Sequence, residues 1–390
     1  MDIASQRLFL IHYHEIGLKG RNRGRFENQL LRNIERALKD IPHGTLRRIS
    51  GRVLLEPVPD TPLDALRRRL ATVFGIANFS EAYHVPPDIG AMRQTAWEVA
   101  QRTPFASFKI ATKRSDKTFP MNSEEINRDV GAHVQGLSGA QVKMDDPDLT
   151  CTIELAQQGT FIYAEKISGP GGLPVGVGER ALSLLSSGID SPVASYRIMK
   201  RGVRLAFLHF HSQPYTDRNS QRNTEELVRI LTDYQYSSTL YLVAFVEIQR
   251  HIMTQAPPSF RVILYRRAMF RIAEALAETE GAQALVTGES VGQVASQTLS
   301  NIRAIEEVTS LPVLRPLSGD NKDEIVDEAR RIGTYETSIE PYEDCCTVFV
   351  PKHPETRADR EVVQDIESRL DLAPLVRQAV DSAEVKRFNT

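Results

Sequence analysis

Only three cysteines occur in the 390 residues (Cys151, Cys345 and Cys346), and no C-x-x-C pair is among them. That excludes a disulfide-stapled scaffold and the usual cysteine-held zinc or iron–sulfur site. No apolar run approaches the ~18 residues that a spanning helix needs, which excludes a transmembrane helix. An excess of one charge is lacking too. The 48 basic and 50 acidic side chains leave a formal net charge of −2, with residues 1–180 slightly basic and 181–390 slightly acidic. Such a balance argues against coating nucleic acid through bulk charge, but it permits a local basic patch. The start, Met1-Asp2-Ile3-Ala4-Ser5-Gln6-Arg7, lacks the basic-then-apolar layout of a secretion signal and predicts a cytoplasmic chain without membrane partners. The phosphate motif G-x-x-x-x-G-K-[ST] is absent. Gly176-Val177-Gly178-Glu179-Arg180-Ala181 fits G-x-G-x-x-A but precedes a strand instead of following one, so it reads as linker.

What is present is enough apolar residue (41% hydrophobic, 25% charged) for two or three domains with real cores. Residues 1–61 open with the apolar run Leu8-Phe9-Leu10-Ile11 and a basic glycine-containing loop. A helix follows, with Phe26, Leu30, Leu31, Ile34, Ala37 and Leu38 on one face. A strand at Gly51–Leu55 and a helix from Leu63 to Val73 complete a small α+β pattern. In residues 62–167, Cys151, Ile153 and Leu155 alternate with polar residues, and Phe161 and Tyr163 do so after the Gln157-Gln158-Gly159 turn. This predicts a β-hairpin with Cys151 in the core. Gly169-Pro170-Gly171-Gly172-Leu173-Pro174 is a breaker cluster and the best linker. Residues 168–390 then alternate apolar runs (182–185, 203–210, 239–246, 283–287 and 312–314) with helical stretches (191–201, 219–232, 259–280). That alternation predicts a parallel sheet covered on both faces, with ligands at the carboxyl ends of its strands.

The most informative stretch is Leu184-Leu185-Ser186-Ser187-Gly188-Ile189-Asp190-Ser191-Pro192. An apolar strand runs into a turn of hydroxylic residues and glycine, and a helix begins near Pro192. Free N–H groups and partial positive charge at a helix N-terminus hold phosphate without a lysine. The hydroxyls of Ser186, Ser187 and Ser191 add donors, and Asp190 could hold Mg2+ against phosphate oxygens. The plainer alternative is an ordinary strand–turn–helix with Ser191 as N-cap.

This loop resembles the S-G-G-x-D-S loop of the ATP pyrophosphatases, with Ser187 where the second position is usually glycine. Other segments narrow the likeness: His12-Tyr13-His14-Glu15-Ile16-Gly17-Leu18-Lys19-Gly20, Lys113-Arg114-Ser115-Asp116-Lys117-Thr118-Phe119-Pro120, Thr287-Gly288-Glu289-Ser290, and Pro341-Tyr342-Glu343-Asp344-Cys345-Cys346. Together, over residues 7–358, the chain resembles the tRNA 4-thiouridine synthetase (tRNA sulfurtransferase) family, without the C-terminal rhodanese domain that some members carry. The resemblance implies an α/β, multi-domain fold: an N-terminal ferredoxin-like α+β domain (1–61), a THUMP RNA-binding domain (62–167) and a doubly wound parallel-sheet PP-loop ATP pyrophosphatase domain (168–390).

It also implies the reaction. ATP adenylates the C4 oxygen of uridine at position 8 of tRNA, pyrophosphate leaves, and a cysteine persulfide supplies sulfur as AMP departs, giving 4-thiouridine. A carbonyl oxygen leaves poorly and AMP leaves well, and a soft sulfur nucleophile needs a cysteine to carry it. Carried over by position, the nucleotide contacts fall on Leu184, Leu185, Ser186, Ser187, Gly188, Ser191, His209, Phe210, Arg266, Gly288 and Gln297. His209 and Phe210 end an apolar strand where a nucleobase would lie, and Gly288 follows another strand end where a backbone can approach a ligand closely. Asp190, Cys345 and Cys346 are the catalytic candidates. Flanking carboxylates at Glu343 and Asp344 disfavour a bare thiolate, a problem that a more acidic persulfide relieves. One sequence leaves open which cysteine carries sulfur, with Cys345 favoured.

For tRNA, Lys113, Arg114 and Lys117 could meet backbone phosphates, and Lys19, Arg21, Arg23 and Arg25 could extend that surface. The resemblance implies as further partners a cysteine desulfurase or other sulfur donor, a thiamine sulfur-carrier protein, and a second copy of the chain in a homodimer. Two other readings stand beside it: a pyrophosphatase that adenylates another base or a small acid, and a nucleotide-responsive RNA-binding protein without turnover.

Overall fold

A computed structural model describes residues 6–49, 51–215, 218–341 and 353–390. Cys345 and Cys346 lie outside them. The chain divides into two units, residues 1–174 and 175–390, and the division falls at the end of the predicted glycine–proline linker.

In the first unit the elements are β1 (Gln6–His12), α1 (Arg23–Ala37), β2 (Leu46–Ile49), β3 (Arg52–Leu55), α2 (Leu63–Leu70), β4 (Asn78–Val85), α3 (Ile89–Ala100), β5 (Ser107–Arg114), α4 (Ser123–Ser138), β6 (Gln141–Val142), β7 (Leu149–Ala156), β8 (Gly159–Tyr163) and β9 (Ile167–Ser168). The strands form one sheet in the order β2-β3-β1-β4-β8-β7-β5-β6, with β9 also on β4. The sheet therefore runs unbroken across residue 61, where one domain was expected to end. The hairpin of β7 and β8 forms as predicted, Ala156 opposite Gly159, and β7 also lies parallel to β5, Ile110 opposite Cys151. Cys151, Ile153 and Leu155 pack against α3 and α4. Alternation placed Thr152 and Glu154 outward, yet both are buried (3% and 1% exposed). Leu8, Leu10, Leu54, Phe161 and Tyr163 form an apolar cluster on that second face.

The second unit carries β10 (Arg180–Leu184), α5 (Asp190–Met199), β11 (Arg204–His211), α6 (Asn219–Gln235), β12 (Ser237–Ala244), α7 (Val246–Gln255), α8 (Arg261–Glu280), β13 (Ala282–Val286), α9 (Leu299–Glu306), β14 (Val313–Leu314), α10 (Lys322–Arg331), α11 (Tyr335–Ser338), α12 (Arg360–Ser368), α13 (Ala373–Asp381) and β15 (Glu384–Asn389). Strand order is β14-β13-β10-β11-β12-β15. The first five are parallel, as the alternation predicts, while β15 is antiparallel to β12 at the edge. Its sequence, Glu384-Val385-Lys386-Arg387-Phe388-Asn389, is too charged to read as an interior strand, but an edge tolerates and benefits from such charge. The chain leaves β10 toward β11 on one side, and β13 flanks β10 on the other. That reversal opens a crevice at the carboxyl ends of these three strands.

Candidate functional site: the cavity at the ends of β10, β11 and β13

A cavity of about 520 Å³ occupies this crevice. The end of β10 supplies Leu184 and Leu185, the following loop Ser186, and the start of α5 Asp190 and Ser191. The end of β11 adds His209 and Phe210. Arg266 of α8, Gly288 after β13, and Gln297 close the wall. The structure thus brings together ten of the nucleotide and catalytic residues read from the sequence. Ser187 and Gly188 belong to the same loop but do not line the cavity.

The loop is built from its own hydroxyls. Ser191 Oγ accepts from the Ser186 N–H (2.9 Å) and donates to the Ser186 carbonyl (3.1 Å). Ser191 is the second residue of α5 and does not cap it, so the plain N-cap alternative is not what the structure shows. Ser187 turns away and donates to Ser220 O (2.9 Å) on α6. Of the three hydroxyls expected to face phosphate, only that of Ser186 is on an exposed residue. Behind the loop, Ser195 Oγ donates to Ser191 O (2.8 Å) and lies 2.8 Å from Ser183 Oγ, tying α5 to β10. His209 Nδ1 lies 2.9 Å from the Leu185 carbonyl and donates to it, which fixes the ring at the strand end.

Gly288 carries a packing constraint of its own. A Cβ there would sit 2.6 Å from the Ser191 nitrogen and 2.8 Å from the Asp190 carbonyl carbon. Its missing side chain admits the first turn of α5 itself. Beside it Glu289, 3% exposed, is held by Arg315 (2.7 Å), by Arg266 and by the Thr287 hydroxyl (2.9 Å). Burial alone would raise the Glu289 pKa, but the two guanidinium groups keep it below the usual carboxylate value. Arg266, read as a nucleotide contact, therefore lines the cavity already paired, while its buried Nε has no hydrogen-bond partner among the described residues.

Sequence reasoning missed Lys322. Its Nζ reaches Asp190 Oδ1 (2.5 Å), and Gln293 Nε2 donates to the other oxygen (3.2 Å). A lone lysine opening an amphipathic helix carries no signal in one sequence. Among the described residues, no group of three His, Cys, Asp or Glu could hold a metal ion. One carboxylate, Asp190, suits magnesium, which takes one or two protein carboxylates and completes its shell with phosphates and water. The chain on both sides of the cysteine segment is held at this site. Ser338 Oγ donates to Gly188 O (3.4 Å), and Pro354 lines the cavity.

The basic residues read as RNA contacts all lie in the first unit. Arg21, Lys113 and Lys117 are exposed. Arg23 is engaged internally, donating to Glu27 (2.7 Å) and to the Tyr13 hydroxyl (3.0 Å). Arg114 donates to the Phe119 carbonyl (2.8 Å) and shapes its own loop. Lys19 lies 5.5 Å from the centre of the Phe26 ring.

With this geometry in hand, comparison with known proteins decides the family. Residues 176–372 match the Thiamine biosynthesis protein (ThiI) family, residues 8–80 its ferredoxin-like domain, and residues 88–165 the THUMP domain. The chain belongs to the ThiI family. The probable tRNA sulfurtransferase of Moorella thermoacetica is 45% identical, covering 96% of both chains. That of Thermus thermophilus is 44% identical over 96% of this chain and 92% of its own. A crystal structure of a 4-thiouridine synthetase–RNA complex with bound ATP superposes with a TM-score of 0.89 at 37% identity, covering 98% of this ThiI-family chain and all of that one. Among the described residues, no helix is long and apolar enough to cross a membrane.

Proposed function

We propose that this ThiI-family protein is an ATP-dependent tRNA sulfurtransferase that converts uridine 8 of tRNA to 4-thiouridine. The observation that carries the reading is the cavity: a serine-rich loop, the α5 N-terminus, Asp190 and Lys322 converge at the switch point of the sheet, in a chain similar along nearly its whole length to an ATP-bound 4-thiouridine synthetase. Phosphates of ATP lie against the loop amides and Lys322, and the base fits between the ends of β10 and β11. Asp190 would hold magnesium, which supplies charge neutralisation on the phosphates when bound.

In the reaction, the uridine C4 oxygen attacks the α-phosphorus and pyrophosphate leaves. The outer sulfur of a persulfide on Cys345 or Cys346 then bonds to C4, and the C4–O bond breaks with AMP taking the electron pair. A second thiol, the neighbouring cysteine or an external one, attacks the carrier sulfur, forms a disulfide and leaves the transferred sulfur on the base. The flanks held at Ser338 and Pro354 support a cysteine segment that serves this cavity. The ferredoxin-like and THUMP segments hold the RNA. A cysteine desulfurase as donor, a cytoplasmic setting and a homodimer complete the proposal, and the family's name supports sulfur supply to thiamine synthesis.

Pyrophosphate release from ATP, measured with and without unmodified tRNA, tests it. Release that requires tRNA is expected. Release driven by a small acid without tRNA would favour another adenylation, and no release at all would favour an RNA-binding protein without turnover.

A further inference from the structure

The loop that leaves β13 (287–298) runs along the cavity wall, and its own backbone holds it there. Gly292 N donates to Gln297 O (2.9 Å), Gln297 N to Val294 O (2.8 Å) and Val291 N to Ser318 O (3.4 Å). Gly292 has φ +80°, the left-handed region that favours glycine. The turn so formed shows two aliphatic side chains to solvent, Val291 (46% exposed) and Val294 (52%), and Val294 lines the cavity. Between them in the chain stands the exposed Gln293, whose Nε2 donates to Asp190 Oδ2 (3.2 Å). A carboxylate only accepts, so this contact fixes which way the amide faces. Its NH2 group is turned to Asp190, and its Oε1 is left as an acceptor beside the two valines.

We propose that Gln293, with Val291 and Val294, selects the uracil ring that is to be modified: Oε1 accepts its N3–H, and the valines cover its face. An enzyme that does chemistry on a base takes it out of its stack, reads its Watson–Crick edge and packs it against apolar side chains. The entering ring must bring O4 to the phosphates, and Gln293 is tied to Asp190, the residue read as holding their magnesium. The adenine of ATP fits between the ends of β10 and β11, so the side chains at the Asp190 end are left for the second base of the reaction. Uracil carries a proton on N3 and cytosine a lone pair. An acceptor locked by Asp190 admits the first and repels the second, whereas a freely turning amide would suit both. Gln293 governs entry and makes or breaks no bond. Once O4 is adenylated, N3 has given its proton to solvent and the contact is gone. The inference rests on the tRNA reading above and adds to it the residues that choose the base.

The test uses unmodified tRNA with 2-aminopurine directly next to position 8, a probe that brightens when its neighbour leaves the stack. Magnesium and α,β-methylene ATP, which cannot release pyrophosphate, fill the nucleotide site. Wild type is expected to brighten the probe with uridine at position 8 and not with cytidine there. Gln293→Ala should lower the uridine signal roughly tenfold, the worth of one hydrogen bond, and make the two tRNAs alike. Val294→Ser should weaken the uridine signal while keeping the preference over cytidine. Affinity for tRNA and for ATP, read by calorimetry, should stay at the wild-type value in both variants. A Gln293→Ala protein that still prefers uridine overturns the proposal. So does one that loses ATP affinity and keeps the preference, because Gln293 would then only support Asp190. If wild type binds tRNA but brightens neither probe, the base does not enter here and the proposal fails while the tRNA reading stands. If wild type binds no tRNA, that reading fails first.

Discussion

Lys322 Nζ lies 2.5 Å from Asp190 Oδ1, so the first residue of α5 and the first residue of α10 meet across the mouth of the serine-rich loop. The pair is half-exposed on the lysine side, where solvent keeps such a contact weak. On the proposed function, the phosphate tail of ATP would compete for Lys322 and magnesium for Asp190. We expect Lys322→Ala to lower the rate of pyrophosphate release by roughly 10²- to 10³-fold, the usual loss for one donor aimed at developing charge. Lys322→Arg should recover part of it. A Lys322→Ala enzyme with native kinetics, measured by continuous pyrophosphate assay, would remove the lysine from the chemistry.

Gly288→Ala places a methyl carbon where the Ser191 backbone already stands, 2.6 Å away. Backbone cannot yield as a side-chain tip can. ATP affinity, read by calorimetry, is expected to fall at least tenfold, by distortion of the loop and not by loss of a contact. Unchanged affinity would show that α5 can shift without cost.

Glu289→Gln leaves Arg266 and Arg315 facing each other with the neutralising charge gone. Removing one partner of a buried pair costs roughly 3–5 kcal/mol, so the variant should lose that order of stability in urea unfolding and bind ATP more weakly. Stability within the error of wild type would mean that Glu306, which also pairs with Arg315 (2.7 Å), compensates.

Much of the second unit is written in plain alternation, because a parallel sheet buried on both faces needs continuous apolar runs. Leu184 to Pro192 could be recognised for the same reason: local chemistry sits in adjacent residues. What escaped depends on contacts between distant parts of the chain. Lys322 meets Asp190 from 132 positions away. Glu154 looks solvent-facing by period two, yet it is buried beneath residues from other strands, with Arg52 arriving to pair with it from 102 positions away. β15 was hidden by its edge charges. At Gly288 the close packing against the first turn of α5 was not legible, because α5 lies about a hundred positions earlier in the chain.

His211 closes β11, and burial, then the nearby His209, pulls its pKa down to about 4. The unfolded chain takes up a proton near the ordinary value of 6.5, whereas the folded one does not until about pH 4. Stability is therefore intact above pH 6.5 and falls as pH drops through that window. His211→Asn should flatten the fall, measured as the unfolding midpoint between pH 7 and 4. An equal slope in the variant would assign the loss to other groups.

Cys151 is fully buried, and burial pushes its thiol up to about 12. It should neither alkylate in the native protein at pH 8 nor carry sulfur. Iodoacetamide labelling followed by peptide mass spectrometry checks this. Rapid labelling of Cys151 would contradict its place in the core.

The most direct measurement is mass spectrometry of tRNA after incubation with the protein, ATP, magnesium and a sulfide source, alongside the Asp190→Ala variant. The account predicts 4-thiouridine at position 8 with wild type, and none with Asp190→Ala although that variant still binds tRNA. Unmodified uridine with active wild-type protein, or equal thiolation by both, would contradict it.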